Sequence, residues 1–506
     1  MFRWKRLTAI AAVVALGLTG CAAGGSDSSS GSPTTLTLGV LVPATTFEAS
    51  GLNWANESPY GQAVYDSLLR GNPDGSIAPN LATDYTYNAD KTVLTLKLRT
   101  DVKFTDGTAL DASAVAQNLL RFRDGTSPNK SYLAAVADAT ATDTSTVTIT
   151  LKASDPSLLS NLTRNAGMVE SPAAFTKADV ATNPVGSGPY ILDVAKTVVG
   201  TSYVFEKNPN YWKPADVHYD NLTLSVFSDA TALLNAIKGG QVNATNTASN
   251  NDLDQITAAG FTINPLELNW TGLMLIDRDG TSNPALGDVR VRQAINYAFD
   301  TKALLQAVGQ GYGTPTSQIF PKTSVGYDPA LDSAYTYDPA KAKALLAAAG
   351  YANGLTLQMP STSLLGTAVF TLYAQQLKDV GITVNFTDAG NNYISDVLAP
   401  KYGSYYFILQ EDPDWALIQF SIAPNATFNS YHTQNATVDA LIEKIHNGSQ
   451  ADSDQAVKDL NKYVVDNAWF APWYRMQSSF ATDAHTKVTV QADNAYPYLW
   501  NFTPIS

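Results

Sequence analysis

The chain has 506 residues, 45 of them acidic and 32 basic, a formal net charge of −13 and a single cysteine. That balance argues against nucleic acid or an anionic membrane surface as the partner, since both are met by basic patches. One cysteine excludes disulfides within the chain and cysteine-based zinc sites by count, and the length predicts two or three domains rather than one core.

Arg3, Lys5 and Arg6 precede an uncharged apolar run over residues 7–18. That run is shorter than the roughly 20 residues a bilayer core requires. A basic start, a short apolar segment and small residues form a secretory signal pattern over residues 1–20. Leu18-Thr19-Gly20-Cys21 has the form of a bacterial lipobox, which makes Cys21 the expected lipid attachment point. Residues 21–33, rich in Gly and Ser, read as a flexible tether. The expectation is an exported body, lipid-anchored to the outer face of the bacterial cytoplasmic membrane.

Beyond the tether, strand and helix patterns interleave, the mark of an α/β fold. Residues 36–42 (LTLGVLV) read as a first buried strand, and 93–98 (VLTLKL) and 147–151 (VTITL) alternate as half-buried strands do. Asp111 precedes a helical stripe of Val115, Leu119 and Phe122, and Asp155-Pro156 predicts the start of another helix. Asp288 caps VRVRQAINYAFD, with Val291, Ile295, Ala298 and Phe299 on one face. Asp338-Pro339 opens AKAKALLAAAG, and Gly350 is placed to end that helix. Residues 355–358, 368–379 and 382–386 then predict a parallel strand–helix–strand unit.

Residues 183–190, NPVGSGPY, carry two glycines around a serine, and each catalytic template for such a run fails. A phosphate loop needs Gly-Lys-Ser/Thr, but Gly188 is followed by Pro189 and Tyr190. A dinucleotide fingerprint needs a further glycine at position 191, which is Ile. A nucleophile elbow needs Gly-x-Ser-x-Gly, which is absent here. The flanking strand character leaves a backbone turn, with Pro189 fixing φ.

VGSGPYIL followed by FEKNPNYW (residues 205–212) resembles the extracellular solute-binding proteins of family 5, the peptide-, nickel- and related solute-binding subunits of ABC importers. GDVRVRQAINYAFD, YDPAKAKALLAAAG and QEDPDW (residues 410–415) are similar to further motifs of that family, in the same order. The resemblance implies a periplasmic-binding-protein-like two-lobed fold with a hinge (type II, cluster C) and an extra inserted domain. It places lobe I at 34–60, 183–265 and 475–506, the inserted domain at 61–182 and lobe II at 266–474, with lobe crossings near Leu266 and Trp473. It also implies a non-enzymatic protein that captures a small solute, most readily a peptide, and delivers it as a monomer to a permease driven by a separate ATPase.

In peptide-binding members an acidic residue near the Asp-Pro-Asp segment pairs with the ligand's ammonium group. The matching positions are Asp412 and Asp414, with Glu411 adjacent; a turn or helix cap is the alternative role. Trp415, Trp270 and Trp54 fall in segments that border the cleft in the family, where aromatic walls give adaptable contact area. No Arg or His is evident for a peptide carboxylate, since residues 400–432 offer only Lys401 and His432. His218, His432, His446 and His485 lack paired metal-ligand spacing, so neither metal nor cofactor is expected. Oligosaccharide and nickel-chelate binding within the same family stay open. So does, more remotely, a lipid-anchored hydrolase using Glu411 and Asp414 as paired carboxylates.

Overall fold

The computed structural model describes residues 34–491 and 494–505. The leader, Cys21 and the tether lie outside the described residues.

In chain order, β1 (Thr35–Val40) is followed by β2 (Ala82–Tyr87), β3 (Val93–Leu98), α1 (Ala112–Asp124), β4 (Val136–Asp143) and β5 (Thr146–Leu151). Next come β6 (Tyr190–Leu192), β7 (Ser202–Lys207), β8 (Asn221–Val226), β9 (Ala244–Asn246) and the long β10 (Thr262–Leu275). The remainder comprises α2 (Val289–Tyr297), β11 (Gly313–Pro315), α3 (Pro339–Ala348), β12 (Leu355–Ser361), α4 (Ala368–Asp379), β13 (Ile382–Asp388) and β14 (Ser404–Gln410). Then come α5 (Asp414–Leu417), α6 (Ala436–Asn447), α7 (Gln450–Asp466) and the long β15 (Phe470–Thr482), and a short antiparallel pair, Thr486–Val488 with Phe502–Pro504, follows.

A nine-stranded sheet runs in the order β14-β10-β15-β9-β1-β8-β7-β6, with β11 also pairing with β15. β1 is parallel to β8 and β9, whereas β10 is antiparallel to both β15 and β14. The β10–β15 ladder shifts register between Glu267 and Asn269 and again between Thr271 and Gly272. Such bulges bend a strand locally. β2, β3, β5 and β4 form a separate antiparallel sheet.

Three large hydrophobic cores follow this division. One draws on Leu36 to Tyr65, Tyr190 to Leu266 and Phe480 to Phe502, with Met168 added. The second is built from Leu68 to Val185. The third runs from Trp270 to Tyr474.

Local signals fix many of the elements. Asp111 Oδ1 accepts the Ala114 N–H at 2.8 Å at the start of α1, and Val115, Leu119 and Phe122 are buried. Asp288 and Asp338 cap α2 and α3, and Gly350 takes a φ of +92° just beyond α3. β12 and β13 pair in parallel around α4. One expectation fails: Asp155-Pro156 starts no helix. Asp155 Oδ1 accepts the Ser157 N–H at 2.9 Å in a local turn, and only Leu158–Asn161 is helical.

Residues 183–190 form the expected turn into β6. Gly186 and Gly188 press against the backbone of Val64, where an added Cβ would lie 2.0 Å from Val64 O and 2.4 Å from Val64 C. Ser187 Oγ donates to Asp66 Oδ2 at 2.8 Å, and Tyr211 and Trp212 donate to the same carboxylate. The two glycine- and tryptophan-bearing motifs thus meet on one buried acid. Burial pushes Asp66 up to about 6 despite the hydrogen bonds from Trp212, Ser187 and Tyr211.

Candidate functional site

The segment QEDPDW joins β14, which ends at Gln410, to α5, for which Pro413 stands as N-cap. The turn sends its acidic side chains to different places. Glu411 is buried and faces Arg475 of β15, with Oε1 2.9 Å from Nε. The N–H does not point along this approach, so the contact is one of charge rather than an aligned hydrogen bond. Arg475 is fully buried; its Nη1 donates to Asp332 Oδ1 at 2.8 Å and its Nη2 to the Phe320 carbonyl at 3.0 Å.

The two carboxylates on this guanidinium are shifted in opposite directions. Burial pushes Glu411 up to about 7, more than Arg475 can offset, and nearby Glu267 adds to the rise. Burial would also raise Asp332, but the Tyr327 hydroxyl, Arg475 and the Thr316 hydroxyl hold it below the ordinary range. Glu411 also borders a small cavity of about 180 Å³ with Glu267, Lys322 and Gln491.

Asp414 and Trp415 line a different and larger space. A groove of about 380 Å³ has one wall from Pro413, Asp414, Trp415, α6 and α7, and the other from β2 and residues 154–160. Such a volume falls in the range of small-molecule sites. Tyr85 and Tyr87 reach it from β2, Asp155 from the turn described above and Asp454 from α7. Asp414 Oδ1 is buried without a hydrogen-bond partner. Burial raises Asp414 to about 6, although Ser324 and the Val325 N–H favour its charged form. Trp415 is half-buried and stacks on His446 of α6, with ring centroids 4.9 Å apart and planes at 6°.

Polar contacts tie the two walls together beside the groove. His446 Nε2 donates to the Ser154 carbonyl at 2.6 Å, and Ser154 Oγ donates to the His446 carbonyl at 3.3 Å. Lys91 Nζ donates to the Gly448 carbonyl at 2.6 Å.

The other sequence-predicted residues lie elsewhere. Asp412 is partly buried within the turn itself. Trp270 is fully buried in the core around β10 and packs edge-on against Phe470. Trp54 is buried in the core containing β1, 6.1 Å from the Tyr498 ring. Lys401 pairs with Asp396, and His432 Nδ1 donates to the Pro424 carbonyl. Sequence reasoning missed Tyr85, Tyr87, Asp155 and Asp454 as groove residues. The alternation that puts Tyr85 and Tyr87 on one face of β2 was the available signal. Among the described residues no group of three or more His, Cys, Asp or Glu is arranged to hold a metal ion.

A profile of the bacterial extracellular solute-binding proteins, family 5 (middle region), matches residues 76–441. The chain belongs to this family of solute-binding proteins, which are not enzymes. The glutathione-binding protein GsiB of Pectobacterium atrosepticum is 30% identical over 478 residues, covering 88% of this chain and 90% of that one. HbpA2 from Haemophilus parasuis superposes with a TM-score of 0.83 at 20% identity, over 93% of this chain and 100% of that one. The periplasmic murein tripeptide-binding protein MppA, in its unliganded open form, gives a TM-score of 0.84 at 18% identity over 94% and 98% of the two chains. The fold is therefore the two-lobed periplasmic-binding-protein fold. Among the described residues no helix is long and apolar enough to cross a membrane.

Proposed function

We propose that this chain is the lipid-anchored substrate-binding subunit of an ABC importer, which captures a small peptide-like solute and hands it to the membrane permease. The observation that carries the peptide-like reading is the 30% identity to a glutathione-binding protein across 88% of the chain. The groove beside Asp414 and Trp415 supports it, being of ligand size and walled by aromatic and carboxylate side chains. Cys21 is the proposed lipid attachment point, and the body works as a monomer on its tether.

The proposed division is lobe I at 34–60, 183–265 and 475–506, an inserted domain at 61–182 and lobe II at 266–474. What supports it is that the three large hydrophobic cores draw on nearly the same segments. β10 and β15 then carry the chain between the lobes, and their bulges at Glu267–Asn269 and Thr271–Gly272 are the natural place to flex. A solute touching both walls of the groove stabilises the arrangement in which they meet, because only differential contact shifts such an equilibrium.

Mass spectrometry of compounds that co-purify with the chain, followed by calorimetry with those compounds, glutathione and short peptides, tests this reading. Saturable one-to-one binding without turnover is expected. Hydrolysis of any of them, or binding of sugars in preference to peptides, would overturn it.

A further inference from the structure

Three carboxylates line the groove: Asp414 at the start of α5, Asp454 on α7 and Asp155 on the opposite wall. Among the described residues lining it, the only cationic side chain is Lys91, whose ammonium is engaged with the Gly448 carbonyl at 2.6 Å. The carboxylates are incompletely satisfied. Asp155 accepts one backbone N–H from Ser157, and Asp454 accepts one amide N–H from Gln450 at 2.7 Å. Asp414 Oδ1 is buried with no partner, an arrangement that costs free energy while the group stays charged. Burial lifts Asp155 as well as Asp414 above the ordinary carboxylate range. Three aromatic rings, Tyr85, Tyr87 and Trp415, complete the walls. Carboxylates together with aromatic faces are the surroundings that favour an ammonium or guanidinium over a neutral group of the same shape.

We propose that this groove binds an organic cation, a guanidinium or primary ammonium carried on an extended solute, between the Asp155, Asp414 and Asp454 carboxylates and the Tyr85, Tyr87 and Trp415 rings. The proposal rests on the solute-binding reading and narrows it to positively charged solutes. It gives residues 85–91 and 154–160 a part in selection, so that the ligand is read from both walls.

The test is calorimetry on the full-length chain with alanine tripeptides carrying one arginine, each matched to the same peptide with citrulline, and with free agmatine and spermidine. Citrulline keeps the shape of arginine and removes its charge. Arginine peptides should bind roughly tenfold tighter than their citrulline partners at one position, the scale set by one charge-assisted contact. Asp155→Asn and Asp454→Asn should each shrink that ratio, with thermal melts confirming that the variants fold. The wild-type comparison needs no variant. If the tripeptides fail but agmatine or spermidine binds in an Asp155-dependent way, the cation site stands and the peptide reading falls. Equal affinity for arginine and citrulline peptides would overturn the cation site while leaving the peptide reading intact. Binding of none of these probes to the wild-type chain would overturn the cation site.

Discussion

Arg475 Nε lies 2.9 Å from Glu411 Oε1 in a fully buried setting, while the same guanidinium hydrogen-bonds Asp332. One cation thus serves two acids, and it serves them unequally. Asp332 is held ionised, whereas Glu411 is pushed up to about 7 by burial. A carboxyl whose folded pKa exceeds its unfolded value binds its proton more tightly in the folded state. Its contribution therefore favours folding at low pH and is lost as pH rises from about 4.5, the reference value, to about 7. Asp414, Asp66 and Glu170, each raised to about 6, act with the same sign. The melting temperature should therefore fall between pH 5 and 7.5, bounds chosen to bracket these groups. Glu411→Gln should flatten the upper part of that fall, by on the order of 2 kcal/mol between its ends. Thermal melts of both proteins across this range check it. A wild-type profile that rises toward neutrality would contradict the assignment.

Removing the shared cation is a harsher change. Arg475→Leu leaves Asp332 and Glu411 facing each other's surroundings without their common partner and strips the Phe320 carbonyl of a donor. Breaking a buried pair in this way costs ~3–5 kcal/mol. Urea denaturation should show the unfolding free energy fall by that amount, with a correspondingly lower midpoint. Asp332→Asn together with Glu411→Gln should recover part of the loss in the Arg475→Leu background, since no uncompensated charge then remains.

The turn into β6 makes a separate prediction. Gly186 and Gly188 are needed because the Val64 backbone lies where a Cβ would sit. Gly188→Ala must displace a backbone–backbone contact in which the Gly188 N–H donates to Val64 O at 3.0 Å. A loss of ~1–3 kcal/mol is expected. Ser187→Ala removes only a hydrogen bond to Asp66, a loss of ~1–2 kcal/mol. Thermal unfolding that ranks Ser187→Ala as the more damaging of the two would refute this account.

How much of this was legible in the sequence depends on how local the cause is. Asp111, Asp288 and Asp338 announced their helices because cap and apolar stripe lie within one turn of each other. Asp155-Pro156 misled because the same carboxylate can satisfy a turn two residues on, and the adjoining Ser154 carbonyl is claimed by His446, 292 residues away. Trp270 lies in a stretch of β10 buried on both faces, where an aromatic residue packs inside whatever its family position suggests. The groove was half legible. QEDPDW pointed to Asp414 and Trp415, but Tyr87 and Asp454 come from segments more than 300 residues apart, and no periodicity joins them.

Trp415 offers an optical readout of the groove. The chain has eight tryptophans, of which Trp54, Trp270, Trp469 and Trp473 are buried in cores. Trp415 is half-buried, lines the groove and stacks on His446, so a solute entering there excludes water from its ring. Solute binding should shift the emission to shorter wavelength, and Trp415→Phe should remove most of that shift. The same substitution keeps an apolar ring but shortens the wall, so affinity should fall by roughly three- to tenfold. Trp270→Phe should leave both the shift and the affinity close to wild type, since its ring packs on Phe470 inside the core. Stopped-flow fluorescence with the compound identified by mass spectrometry gives both numbers. An emission change that survives Trp415→Phe and vanishes with Trp270→Phe would move the ligand from this groove to the β10 side of the molecule.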